Sequence, residues 1–184
     1  MSTPVLVIIG VVLAVSVFGV IAYNGLVQRR NRVDSTWSDI DVLLRRRHDL
    51  VPNLVSAVSG YAGHEQAALR IVAETRAAAI GAQGPAARGD VESALDVRVK
   101  SVLAVAEAYP ELKASASFVD LQRQLGATED GLEHARQFYN DSVFGYNNAI
   151  QTLPTSVVAA LFGFHLRQFF QAAAAERTSV SVRP

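Results

Sequence analysis

The sequence predicts an all-α protein: a single N-terminal transmembrane helix, then an antiparallel bundle of about four helices with long first and last members. Three observations carry that expectation. Residues 5–22 form an unbroken, uncharged apolar run. Two long segments repeat their apolar residues at alternating spacings of three and four, the signature of packed helices. No stretch of useful length alternates at strand period.

Every Lys, Arg, Asp and Glu lies after Gln28, whereas a charge at a bilayer centre costs about 3 kcal/mol even on insertion scales. From Pro4 to Leu26, at about 1.5 Å per residue, a helix reaches about 35 Å and so crosses the hydrocarbon core of about 30 Å. A cleaved signal peptide needs a basic stretch before its apolar core and a small-residue cleavage pattern after it. Residues 1–4 carry no basic side chain, and Tyr23-Asn24-Gly25-Leu26 has no A-x-A pattern. Residues 1–28 therefore read as a retained anchor in membrane lipid. Because Arg29, Arg30 and Arg32 sit on one flank, the positive-inside rule expects the N-terminus outside and the following domain in the cytoplasm of a single-pass cell-membrane protein. Tyr23 is expected at the interface, and the arginines can hold anionic headgroups at about 1 kcal/mol each.

Residues 29–154 are expected to form the bundle. Trp37, Ile40, Leu44, Arg47, Val51, Leu54, Val58 and Tyr61 stay in phase across Pro52, which predicts one kinked helix and not two. With no proline or charged break before it, this helix and the anchor read as one rod, ended by Gly60 and Gly63. A second helix is expected over 64–80 (Leu69, Val72, Arg76, Ile80). A third is expected over 90–109 (Val91, Leu95, Val99, Val102, Ala106, Tyr109), capped by Asp90 and closed by Pro110, with residues 81–89 a mobile loop. The last should start at Ser115 or Ser117, the latter placed before Asp120 as in a capping box. Its seam is Phe118, Leu121, Leu125, Thr128, Leu132, Ala135, Tyr139, Ser142, Tyr146, Ala149 and Leu153, ending at Pro154. Phe138, Val143 and Ile150 lie off that seam and offer a face for self-association. Residues 155–171, rich in Phe and Leu around Arg167, read as a cap on the bundle's open end or as an interfacial helix beside the anchor. Residues 172–184 are polar enough to be disordered.

Composition narrows the function. With 17 basic and 17 acidic residues the net charge is near zero, and there is no aromatic-interleaved basic stripe, so nucleic acid is set aside. Zero cysteines remove disulfides, thiol nucleophiles and Cys-based zinc sites. None of His48, His64, His134 and His165 is preceded by Glu at the spacing of a di-iron bundle, and H-E-x-x-H, a phosphate-binding G-x-x-x-x-G-K-[ST] loop and a G-x-S-x-G elbow are all missing. No cofactor, metal or catalytic residue is expected.

Several polar residues nonetheless lie on or beside the seams: Arg47, Asp49, Asn53, Glu65, Arg76, Glu107, Lys113, Glu129, Arg136, Asn140 and Asn147. Arg47 occupies a seam position outright, and Glu129 and Arg136 share a helix face. The favoured reading is a partly buried network that fixes helix register, with Arg47 paired to Glu107 or Glu129. Asn140 and Asn147, each after a Tyr, are expected to specify register likewise.

The stretch Arg47-His48-Asp49-Leu50-Val51-Pro52-Asn53-Leu54-Val55, then Gly60-Tyr61, His64-Glu65, Glu107 and Tyr109-Pro110-Glu111-Leu112-Lys113-Ala114, resembles the LemA family of bacterial membrane proteins. Leu121-Gln122-Arg123-Gln124-Leu125, Thr128-Glu129, Ala135-Arg136, Tyr139-Asn140, Tyr146-Asn147 and Pro154 extend the resemblance, which departs at the mid-helix Gly131 and over 172–184. It implies one N-terminal membrane helix, an antiparallel helical domain and no established enzymatic activity. The function expected is a membrane-anchored scaffold or interaction module with a protein partner. The alternative is a small-ligand sensor or uncharacterised enzyme using Arg47, Glu107, Glu129 and Arg136.

Overall fold

A computed structural model describes residues 3–61 and 66–170. Gly63, His64, Glu65 and the tail 172–184 lie outside the described residues. All regular structure described is helical: α1 (Thr3–Ser59), α2 (Gln66–Gly81), α3 (Pro85–Ala106), α4 (Pro110–Lys113), α5 (Ala116–Gln151) and α6 (Thr155–Leu161).

The helix α1 runs unbroken for 57 residues, through Gln28 and Arg29 and past Pro52. Its N-terminal part leaves large apolar side chains from Val5 to Ile21 uncovered, and among the described residues it holds the one segment long and apolar enough to cross a membrane. It stops at Ser59, where the Tyr61 N–H turns back to the Val58 carbonyl at 3.0 Å.

The described chain divides into two compact units: residues up to Ser38 with Phe138–Arg167, and those of Asp39–Gln137 with 168–170. In the second, Val51, Leu54 and Val58 of α1 form a core with Leu69 and Val72 of α2, Leu95, Val99 and Val102 of α3, Leu112, and Phe118, Leu121 and Leu125 of α5. These are mostly the seam positions. Tyr61 and Ile80 are not core: they are 46% and 50% exposed, and Ala79 is buried in place of Ile80. In the first unit Leu26, Val33, Tyr139, Val143 and Tyr146 are buried, and the Trp37 and Tyr139 rings pack at 5.3 Å.

Several boundaries move for identifiable reasons. The helix α3 begins at Pro85, because a proline at the first helical position loses no hydrogen bond and Gly84 supplies the φ of +82° that precedes it. Asp90 is therefore inside the helix, and the connection from α2 is short. At the other end α3 stops at Ala106, and Pro110 opens α4 instead of closing α3. Asp120 makes no capping box with Ser117; its carboxylate accepts from Gln124 Nε2 at 2.7 Å and pairs with Arg123. Leu153 is not in a seam, being 75% exposed beyond the end of α5. Val143 and Ile150 are buried, so they leave no spare face with Phe138, which alone of the three is exposed. Gly131 has a packing reason: a Cβ there would meet Leu43 Cδ2 at 3.2 Å, so α5 approaches α1 where it lacks a side chain.

Candidate functional site

The second unit buries a charged cluster. Arg47 of α1 is 6% exposed and Glu92 of α3 is 3% exposed, depths at which an unpaired charge is strongly unfavourable. Each is answered. Arg47 Nη1 faces Glu92 Oε2 at 3.5 Å and Nη2 pairs with Glu129 of α5, while His48 Nε2 lies 2.7 Å from Glu92 Oε1. Two basic side chains from successive positions of α1 thus hold both oxygens of one buried carboxylate. Burial pushes the Arg47 pKa down, and the nearby charges of Glu92 and Asp96 push it back up. Among the described residues no buried side-chain nitrogen or oxygen is left without a partner.

Arg76 completes the cluster through the backbone. Pro52 lacks the N–H that would otherwise bond the carbonyl four residues earlier, which belongs to His48. Arg76 Nε of α2 donates to that His48 oxygen at 2.6 Å. The proline opens a vacancy in α1 and a side chain from the next helix fills it. Nearby, Arg88 of α3 joins Asp41 of α1 at 2.6 Å and donates from Nε to the Ala82 carbonyl at 3.1 Å, tying α1 to the α2–α3 connection.

The other expected polar residues scatter. Glu107 does not reach Arg47; it is exposed and pairs with Lys113. The Arg136 guanidinium lies over the Phe170 ring at 5.1 Å. Asp49 and Asn53 face out. Asn140 is half-buried; Asn147, in the first unit, clamps Arg167 at two points, its Nδ2 donating to the Arg167 carbonyl and its Oδ1 accepting the Arg167 N–H, both at 2.9 Å. Past the end of the apolar run Tyr23 meets Phe162 and Phe164 edge-on at 4.9 and 5.8 Å, Arg30 lies over Phe164 at 5.6 Å, and Arg29 Nη1 donates to the Gly145 carbonyl at 3.4 Å. Arg32 is exposed.

Sequence reasoning passed over Glu92, although a signal was present. Glu92, Leu95, Val99, Val102 and Ala106 are spaced three, four, three and four apart, so Glu92 is in register with the core face of α3. Placing the helix start at Asp90 made Glu92 a first-turn carboxylate and hid it.

These features define a helical protein with a membrane-competent N-terminal helix and a charge cluster locked inside a packed core. The LemA family model matches residues 36–183, and the chain belongs to the LemA family. It is 24% identical over 165 residues to a protein LemA of Metamycoplasma hominis, covering 85% of this chain and 72% of the relative. It is 22% identical over 195 residues to the magnetosome protein MamQ of Magnetospirillum gryphiswaldense, covering 86% and 71%. To MamQ 2 of Paramagnetospirillum magneticum it is 22% identical over 178 residues, covering 81% and 64%. None of these names is that of an enzyme.

Proposed function

We propose that this protein is a membrane-anchored helical scaffold whose antiparallel bundle presents a binding face to another protein, with the N-terminus outside and the bundle in the cytoplasm. The observation that carries the reading is the continuity of α1, which serves as apolar anchor at one end and as core helix of the second unit at the other. Similarity to LemA and to magnetosome proteins supports a membrane-associated role. The buried cluster supports a structural and not a catalytic use of its charges: Glu92, Arg47 and His48 satisfy one another, and a satisfied, buried network fixes helix register. Under this reading Arg29, Arg30 and Arg32 hold the helix at the cytoplasmic headgroups.

Topology is tested with single cysteines in a chain that has none of its own. Ser2→Cys in intact cells should react with a membrane-impermeant maleimide, and Ser181→Cys only after lysis. Labelling of Ser181→Cys in intact cells would reverse the orientation. Crosslinking in native membranes should capture the same protein from Arg123→Cys, at an exposed position of α5, in independent preparations; capture of lipid alone would remove the scaffold reading.

A further inference from the structure

Residues 142–166 contain no Lys, Arg, Asp or Glu, a second uncharged stretch besides the anchor. It includes α6, which lies along α1: Val15, Phe18 and Tyr23 on one side and Val157, Leu161 and Phe162 on the other line an apolar groove of about 700 Å³. From Val15 to Tyr23 the helix axis advances about 12 Å, all within the last turns of the apolar run. A segment packed beside a membrane-spanning stretch shares its depth. The outer surface fits that depth, since Leu153 and Leu161 are 75% and 77% exposed, larger fractions than those of the anchor's exposed large apolar side chains. In water such uncovered leucines forfeit about 25 cal/mol for each Å² of apolar surface.

Beyond this uncharged stretch the charges of the two segments meet. Arg167, the first charge after the stretch, meets Asp34 of α1 at 3.0 Å, and Arg30 lies over Phe164 at 5.6 Å. Part of the segment's backbone is satisfied from within it, which lowers the cost of placing it in hydrocarbon. The N–H groups of Ser156, Phe162 and Phe164 donate within the segment at 2.9, 3.1 and 3.0 Å, and the Thr155 hydroxyl donates to the Thr152 carbonyl at 2.8 Å. Gly163, at a φ of +69°, turns the chain back toward Arg167.

We propose that residues 153–164 form a re-entrant wedge seated in the leaflet that Arg29, Arg30 and Arg32 face, and that a phospholipid acyl chain occupies the groove between α6 and α1. This rests on the reading of α1 as membrane-spanning. Wedge and anchor then make two contacts with one leaflet, and the arginines are placed to hold the phosphate of the lipid whose chain fills the groove.

The test uses the full chain in vesicles of phosphatidylcholine and phosphatidylglycerol, with nitroxide labels on single cysteines. Collision with oxygen is compared with collision with a water-soluble nickel chelate. Leu161→Cys and, independently, Leu153→Cys should favour oxygen, as Val12→Cys in the anchor does, whereas Ser101→Cys on α3 favours nickel. Nickel-favoured signals at both wedge positions, with Val12→Cys still in lipid, overturn the wedge and leave the anchor standing; shielding from both reagents means protein covers the wedge and also overturns it. A nickel-accessible Val12→Cys overturns the membrane reading itself. For the groove, Phe162→Trp should be quenched several-fold more than native Trp37 by lipids brominated on the acyl chain; equal quenching removes the acyl occupant.

Discussion

Arg47 and Glu92 are buried charges in a largely apolar helical core, a placement stable only while both are present. Truncating Arg47 to Ala leaves Glu92 with His48 alone and Glu129 without its partner, and should cost about 3–5 kcal/mol, read as a lowered denaturation midpoint by circular dichroism in micelles. Replacing both Arg47 and Glu92 by Met should cost clearly less than the sum of the single changes, because neither deeply buried charge is then left without the other and only the half-exposed Glu129 loses a partner. Asp41 supplies a pH dependence. The hydrogen bond from Arg88, helped by the charges of Arg45 and Arg88, holds its carboxyl below the ordinary value of 3.8 against the opposing effect of burial. A depressed native pKa stabilises the fold above the unfolded value and is lost as pH falls through the native one. Stability should therefore drop on acidification below about pH 4, and Asp41→Asn should flatten that limb of an acid titration followed by circular dichroism.

At the scale of elements, the long helices were legible because a repeat sustained over many turns leaves little choice of face. Pro52 was legible as tolerated, since the seam kept phase across it; its partner Arg76 was not, because nothing local indicates which distant donor will meet an orphaned carbonyl. The α2–α3 connection was misread because Gly84-Pro85 signals both a loop and a helix start, and burial of Gly89 and Glu92 favours the latter. The same ambiguity hid Glu92 from the expected network, and Glu107 was expected there only by its neighbourhood to the seam. Two predictions belong here. Arg76→Ala should cost about 1–3 kcal/mol by stranding the His48 carbonyl, and much less in a Pro52→Ala background, where residue 52 regains its N–H; urea titration of the four variants measures the coupling. Gly84→Ala should destabilise by about 1–2 kcal/mol, because a Cβ opposes the positive φ that starts α3.

For the molecule as a whole, the apolar run continues into the rest of α1 without a joint. Nitroxides on Val20→Cys and Ser38→Cys should report a single narrow distance near 27 Å, the axial rise of an intact helix over that interval, by double electron–electron resonance. A broad distribution would place a hinge near the arginines. Membership of the LemA family was legible because its signature runs through both ends of the core. The proline and its arginine have a further consequence, which belongs to descent. Neither is useful alone: without Pro52 the His48 carbonyl needs no outside donor, and without Arg76 the proline leaves it bare. Lineages of this family should therefore keep the two positions together or lose them together, and a chain that has shed the proline is free to let residue 76 drift.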